Sequence, residues 1–340
     1  MARASTKRTI AGELALVEAI RRRALRGRSG AGAVRLGIGD DCAVLRAKVG
    51  REICVTTDFS LEGVHFRRDW HAPQSAGHRC LARGLSDLAA MGAEPMAVFL
   101  SLALPAGTKQ AWVDGFLDGL LALADRHGVA LAGGDTAQSP GGIAADILAV
   151  GQVARGGARL RSGARAGDRL YVTGALGGAA AELLAVERSP ERFRRIAQAE
   201  PGHPHLFPEP RLAVGKRLSG LASAMIDVSD GLSTDLTHLC EASGLAAEID
   251  GAALPVHPLA MEAERRGFAG SAEDLALHGG EDYELLFTAR PGVRIPRRIE
   301  GVAVTQIGTL RRGRRGQVVL RKRGQAPQTL RGGGWEHFGK

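Results

Sequence analysis

His278-Gly-Gly-Glu-Asp-Tyr-Glu-Leu-Leu-Phe287 carries the most information in this chain. Two glycines leave the backbone bare, two acids follow, and the segment then turns apolar as a strand does. Read outward, the same chemistry recurs at five distant places: Gly37-Ile-Gly-Asp-Asp-Cys42, Thr56-Thr-Asp58, Leu85-Ser-Asp-Leu-Ala-Ala-Met-Gly92, Gly133-Gly-Asp-Thr136 and Asp227-Val-Ser-Asp-Gly231. Each sets a carboxylate beside glycines or small hydroxyl residues. Carboxylates gathered together repel one another, and some protonate unless cations join them. Hard cations take oxygen ligands and bridge to phosphates. The set therefore points to magnesium-dependent phosphoryl transfer.

Taken singly, each motif also has a plain structural reading. Gly39-Asp40-Asp41 reads as a turn with a capping acid. Thr56-Thr57-Asp58 sits at the end of a strand, where ligands gather in α/β proteins but where caps are also common. Asp87 falls inside an apolar helix, a poor place for aspartate, and an enclosed Asp there needs a partner. Asp135 follows two glycines in what reads as a turn after a strand at Val129–Ala132. Asp227 and Asp230 flank Val228-Ser229 at another strand end. The recurrence, rather than any one motif, carries the argument.

Bulk properties bound the answer. The 340 residues suffice for two domains, and 44% hydrophobic with 24% charged residues suits a folded globular protein. The net charge of +9 could serve nucleic acid, membrane or small anions. Its excess sits at the ends: Arg311 to Arg331 holds eight Lys or Arg and no acid. No nucleic-acid motif or interleaved aromatics accompany it, so solvated surface is the favoured reading and no nucleic-acid partner is expected. Cysteines 42, 54, 80 and 240 form no C-x-x-C pair. No apolar run approaches a membrane span and no signal peptide is visible, so a cytoplasmic location without membrane contact is expected.

Helices are expected over 13–26, 73–91, 108–127, 177–186, 208–221 and 232–242, with strands over 51–58, 96–104, 129–132, 144–153, 169–173, 223–228, 246–249, 283–289 and 302–308. The glycine-rich, polar stretch 154–168 marks a boundary between domains 1–153 and 154–340. Both halves mix helices with strands, which gives an α/β or α+β fold. A hairpin and a loose end are expected after Arg311. No Walker A loop occurs, because Gly215-Lys216 lacks its upstream glycine. Tyr171-Val-Thr-Gly-Ala-Leu-Gly-Gly178 has the outline of a dinucleotide turn but the wrong glycine spacing, so it reads as a tight turn opening a helix.

In this order, the motifs resemble those of the thiamine-monophosphate kinases. Glu62-Gly-Val-His-Phe66, Arg161-Ser-Gly-Ala164 and Gly334-Trp-Glu-His-Phe338 add to the likeness, which runs from about Glu13 to Phe338. The resemblance implies the two-domain aminoimidazole-ribonucleotide-synthetase-like fold, with an N-terminal domain that dimerises through its sheet, and ATP-dependent phosphorylation of thiamine monophosphate. It implies several magnesium ions on Asp41, Thr56, Thr57, Asp58, Asp87, Asp135, Asp227 and Asp230. Gly134, Asp135, Arg161 and Ser229 fall at its ATP site, and His65, Glu281 and Trp335 at its thiamine-phosphate site. Asp58, Asp87, Asp135, Arg161 and Asp230 are the residues expected to carry catalysis. Potassium stimulation is implied too. Where many relatives carry Asn before the Leu-Ser-Asp triplet, this chain has Gly84. Other superfamily enzymes, such as aminoimidazole-ribonucleotide or selenophosphate synthetases, are the nearest rivals. The latter usually carry an N-terminal reactive Cys or selenocysteine, and no Cys precedes Cys42 here. More distant alternatives are a basic nucleic-acid-binding protein and a non-catalytic ATP-binding homologue.

Overall fold

The computed structural model describes residues 12–26, 32–38, 42–200, 202–330 and 332–334. The chain divides into two compact units. The first comprises Met1–Leu88, Glu94–Arg155 and Ser189–Pro201; the second takes Ala89–Ala93, Gly156–Arg188 and Gly202–Lys340. Up to residue 155 the elements are α1 (Glu13–Ala24), β1 (Val34–Leu36), β2 (Val44–Leu45), β3 (Arg51–Leu61), α2 (Pro73–Ala90), β4 (Glu94–Pro105), α3 (Gln110–Arg126), β5 (Ala130–Ser139) and β6 (Ala144–Ala154). There follow β7 (Arg169–Thr173), α4 (Gly178–Arg188), the single turn α5 (Pro190–Phe193), α6 (Leu212–Leu218), β8 (Ala224–Val228), α7 (Leu232–Ser243) and β9 (Ala246–Asp250). The last elements are α8 (Pro258–Arg265), α9 (Ala272–His278), β10 (Glu284–Ala289), β11 (Arg298–Ile299), β12 (Val302–Arg311), β13 (Val318–Arg321) and β14 (Gln328–Leu330).

In the first unit, four strands run in the order β3-β6-β4-β5, antiparallel except for the parallel β4/β5 pair. Strand side chains alternate between faces. On β3, Cys54, Thr56, Asp58 and Ser60 share the more buried face, and Ile53, Val55, Thr57 and Phe59 the other. The buried face packs on helices: a Cβ on Gly84 of α2 would lie 3.2 Å from both Ala149 Cβ and Ile147 Cγ2 of β6. Gly84 thus marks a close approach of α2 to the sheet, where an added methyl group would press on both side chains. The opposite face leaves Ile53, Val55 and Phe59 47%, 60% and 61% exposed.

The second unit holds an eight-stranded sheet along the path β14-β13-β9-β12-β7-β10-β8, with β11 paired to β12. Only β13/β9 is parallel among its pairs. Leu170, Val172, Ile226, Val228, Leu286 and Ile307 meet Leu232, Leu236 and Leu239 of α7 in its core.

Several expectations are corrected. Gly133-Gly134-Asp135 is no turn; it lies inside β5. A Cβ on Gly134 would sit 1.8 Å from the Leu100 carbonyl oxygen, and φ there is 146°, so glycine lets β5 pair closely with β4 where a larger residue could not. Thr56–Asp58 is internal to β3, which continues to Leu61. The helix expected from residue 208 starts only at Leu212, since Pro208 and Pro210 cannot sit inside it. Helices α8 and α9 escaped the sequence reading. Cys42, in a segment whose apolar, strand-like pattern suits cysteine as a small hydrophobe, is exposed. The β13–β14 hairpin forms; of the end expected to be loose, Gly333 and Gly334 are hydrogen-bonded to α7, and residues 331 and 335–340 lie outside the described residues.

Candidate active site

The first unit presents its acids on β3, α2 and β5. Thr56 and Asp58 point to the helix-covered face, where Asp87 rises from α2. The Thr56 hydroxyl donates to the Asp87 carboxylate. Helix α2 also supplies Arg83, whose guanidinium lies 3.6 Å from Asp58 Oδ1. Leu85, Ser86, Leu88 and Ala89 around Asp87 are all buried, so its carboxylate has the partner that an enclosed acid needs. Thr57 faces the opposite side of the sheet. Asp135 does as well, for it stands in register with Ser101 and, beyond it, Asp146, whereas Asp58 stands in the next row beside Ile147. Asp135 Oδ1 accepts from the Thr136 amide at 2.8 Å. Asp146 has one buried carboxylate oxygen without a hydrogen-bond partner, and burial raises its pKa. His65 is held at the end of β3: its Nδ1 accepts from the Leu61 amide at 3.0 Å, and Arg79 donates to its carbonyl at 2.8 Å.

In the second unit, two loops are stitched together. The Glu281 amide donates to the Ser229 carbonyl at 2.7 Å, and the Tyr283 amide to the Val228 carbonyl at 2.9 Å. Asp227 is buried at the end of β8, in register with Leu285 of β10. Asp230 follows on the turn into α7. That turn is built around Asp235, which the sequence reading passed over. Its Oδ2 accepts from the Ser229, Asp230 and Gly231 amides, each at 3.1 Å. Burial, reinforced by Asp227 and Asp230, pushes its carboxyl up to about 8. The signal was available: an acid in the first turn of a helix is the usual acceptor for the bare amides there.

Glu281 Oε2 lies 3.3 Å from Nδ1 of the buried His205. The flanking Glu182 holds the 203–206 segment, meeting His203 Nδ1 at 2.5 Å and accepting from the His205 amide at 2.8 Å. Glu284, also missed from sequence, takes both Nε and Nη2 of Arg211 at 2.8 and 2.5 Å and the Thr173 hydroxyl at 2.6 Å. Arg161 is exposed in a short 3-10 turn, its carbonyl accepting from Ser243. Gly333 and Gly334 dock on α7, their amides 3.5 Å from Ser233 Oγ and 3.1 Å from Thr234 Oγ1. Asp41 and Trp335 lie outside the described residues.

The turn between β7 and α4 is filled from within. Asp282 Oδ2 accepts from the Gly177 amide at 2.6 Å and Oδ1 from the Ala179 amide at 3.1 Å. A carboxylate thus occupies the helix start where a dinucleotide turn would take a phosphate.

Among the described residues, no three His, Cys, Asp or Glu side chains gather closely enough to hold a metal ion by themselves. The donors are nonetheless all hard oxygens, and magnesium is commonly held by one or two carboxylates plus substrate phosphates. Beyond the effect of burial, Asp227 and Asp230 add to the upward push on Asp235, and a cation beside them would offset that charge. The residues therefore fit magnesium as a partner of bound phosphates.

Among the described residues, no helix is long and apolar enough to cross a membrane. Residues 39–153 match the family of AIR synthase related proteins in its N-terminal domain, and residues 165–321 match the C-terminal domain. The chain is 38% identical over 313 residues to a thiamine-monophosphate kinase of Escherichia coli, covering 90% of this chain and 92% of the relative. A Bacillus subtilis thiamine-monophosphate kinase is 33% identical over 90% of this chain and 94% of its own. The crystal structure of thiamine-monophosphate kinase from Stenotrophomonas maltophilia superposes with a TM-score of 0.74 at 37% identity, covering 90% of this chain and 95% of the other. The structure of AaThiL complexed with AMPPCP and TMP superposes at 0.70 with 30% identity, covering 94% and 96%.

Proposed function

This chain belongs to the thiamine-monophosphate kinases, within the AIR synthase related proteins, and we propose that it transfers the γ-phosphoryl group of ATP directly to thiamine monophosphate, giving thiamine diphosphate and ADP. One observation carries the reading. The two matched spans, 39–153 and 165–321, take in every described candidate aspartate together with Glu281.

The acceptor explains why no general base is needed. A phosphate monoester has a second pKa of about 6 and is largely a dianion at neutral pH. The obstacle is bringing two polyanions together in line. In the first unit Asp58 and Asp87, with Thr56, would hold magnesium on the helix-covered face, while Thr57 and Asp135, on the opposite face of the sheet, would serve a separate ion. In the second unit Asp227 and Asp230 would hold one, and Asp41 lies outside the described residues. When bound, magnesium neutralises phosphate charge and stabilises it in the transition state. Arg161 adds fixed positive charge toward the triphosphate, with Gly134 and Ser229 offering backbone close to it. Glu281 accepts from the aminopyrimidine of the acceptor, His65 contacts its phosphate end, and Trp335 stacks on a ring. Domain 1–153 carries ATP- and metal-binding residues, and domain 154–340 contributes further ones, Arg161, Asp227, Ser229 and Asp230 among them.

The exposed apolar row Ile53, Val55 and Phe59 supports a homodimer formed through the sheet of the N-terminal domain. Val55→Asp is expected to yield monomers in sedimentation velocity, and an unchanged dimer would remove this face from the interface. Potassium stimulates the reaction in this reading, and the enzyme works in the cytoplasm.

The decisive experiment is ADP release from magnesium ATP with thiamine monophosphate as acceptor and thiamine as control. Release that requires the monophosphate, with thiamine diphosphate as product, supports the reading. A protein that binds ATP but releases no ADP with this acceptor overturns it.

A further inference from the structure

Asp282 lies between two residues with left-handed backbone, Glu281 at φ 66° and Tyr283 at φ 49°. Residues with a Cβ hold such conformations only where their surroundings over-determine them. Here three consecutive residues are each fastened. Glu281 and Tyr283 are tied through their amides to the Ser229 and Val228 carbonyls. Between them the Asp282 side chain turns the other way and takes the Gly177 and Ala179 amides with its two oxygens.

We propose that Asp282 is a positioning residue for the acceptor: pegged into the start of α4, it fixes the left-handed turn that aims the Glu281 carboxylate. The inference rests on the reading of Glu281 as a contact to thiamine monophosphate. Both Asp282 oxygens are already engaged by the backbone, so it acts through its neighbour. The arrangement needs two acceptors on one short side chain. Asparagine has the same shape but would turn an amide donor toward a backbone donor. The carboxyl is also kept there at a cost, because burial pushes it up to about 7 against the pull of the Gly177 and Ala179 amides.

Steady-state rates of ADP formation on the full chain test this with Asp282→Asn, Glu281→Gln and the double variant. Asp282→Asn is expected to raise KM for thiamine monophosphate about tenfold, the size of one lost charge-assisted hydrogen bond. KM for ATP should stay within about twofold of wild type, and Asp282→Asn should add nothing in the Glu281→Gln background. An equal rise in both KM values, or additive effects where Glu281→Gln is itself impaired, overturns the inference and leaves the Glu281 contact standing. A Glu281→Gln enzyme with unchanged KM for thiamine monophosphate removes the contact reading and the inference with it. Should Asp282→Asn fail to fold by circular dichroism, Asp282→Ser replaces it, because serine is a good acceptor at helix starts.

Discussion

The Thr56 hydroxyl on β3 donates to the Asp87 carboxylate on α2, joining residues 31 apart in sequence. The bond engages one oxygen of an acid that sits among buried neighbours. Asp87→Asn keeps the shape and removes the charge. Turnover is expected to fall about 10²–10³-fold, as when a charge-stabilising group is lost, with the melting temperature nearly unchanged. Activity near that of wild type would take Asp87 out of the chemistry. Thr56→Val keeps the carboxylate and should cost about 1 kcal/mol of stability in urea titrations.

Gly134 leaves no room for a methyl group, since a Cβ there would lie 1.8 Å from the Leu100 oxygen at a φ of 146°. Gly134→Ala should lower stability by about 3 kcal/mol or more, through forced separation of β4 and β5. Denaturant midpoints measure this. A loss smaller than about 1 kcal/mol would show that the strand pair yields easily.

Asp235 gathers three backbone amides with one oxygen. Asp235→Ala strands those donors beside Asp227 and Asp230. Stability should drop by about 2–3 kcal/mol, the range of a lost cap plus unsatisfied buried amides, and ADP formation should fall with it. An Ala variant with unchanged urea midpoint and rate would show that the turn holds without its acid.

Asp282 sets a sign for pH dependence. Its carboxyl is raised from an ordinary 3.8 to about 7 by burial, so below that value the folded chain holds a proton there that the unfolded chain has lost, and above it the ionised carboxylate accepts with both oxygens. This contribution to stability is full below the unfolded value and is lost as pH rises through about 7. Asp282→Asn should therefore flatten the decline in melting temperature over about pH 5 to 8. A wild-type melting temperature no steeper in pH than the variant's would contradict the assignment.

Glu284 is buried with Arg211 and Thr173 as its partners. Arg211→Leu should cost about 3–5 kcal/mol, because a buried carboxylate then keeps only a hydroxyl. Pairing it with Glu284→Gln should recover part of the loss in the same thermal melts. No recovery would mean that Arg211 acts by packing alone.

Much of this was legible in the chain because two kinds of pattern agree. Apolar periodicity exposed α1 to α3 and the long strands, and recurring Gly-Asp and Ser-Asp junctions marked the loops at β8 and β10. What stayed hidden depends on partners distant in sequence. Asp282 and Glu284 look like loop and strand residues until the amides of α4 and the guanidinium of Arg211 come beside them. Gly133-Gly134 read as a turn because glycine marks both turns and close strand contact, and only the Leu100 backbone distinguishes the two. Helices α8 and α9 are eight and seven residues long, too short for a clear periodic signal.

The interleaving of the two compact units has a bearing on dissection. Ala89–Ala93, at the end of α2, counts with the second unit, and Ser189–Pro201 counts with the first. A single scission after Arg155 therefore frees neither unit whole. The leading fragment would carry five residues whose partners are elsewhere; a Cβ on Gly215 of α6, for instance, would meet the Ala89 carbonyl oxygen at 2.1 Å. The trailing fragment would carry thirteen residues counted with the first unit. Gene-level splitting for complementation or biosensor work would divide both units at once, so the halves have reason to reassociate and little capacity to stand apart.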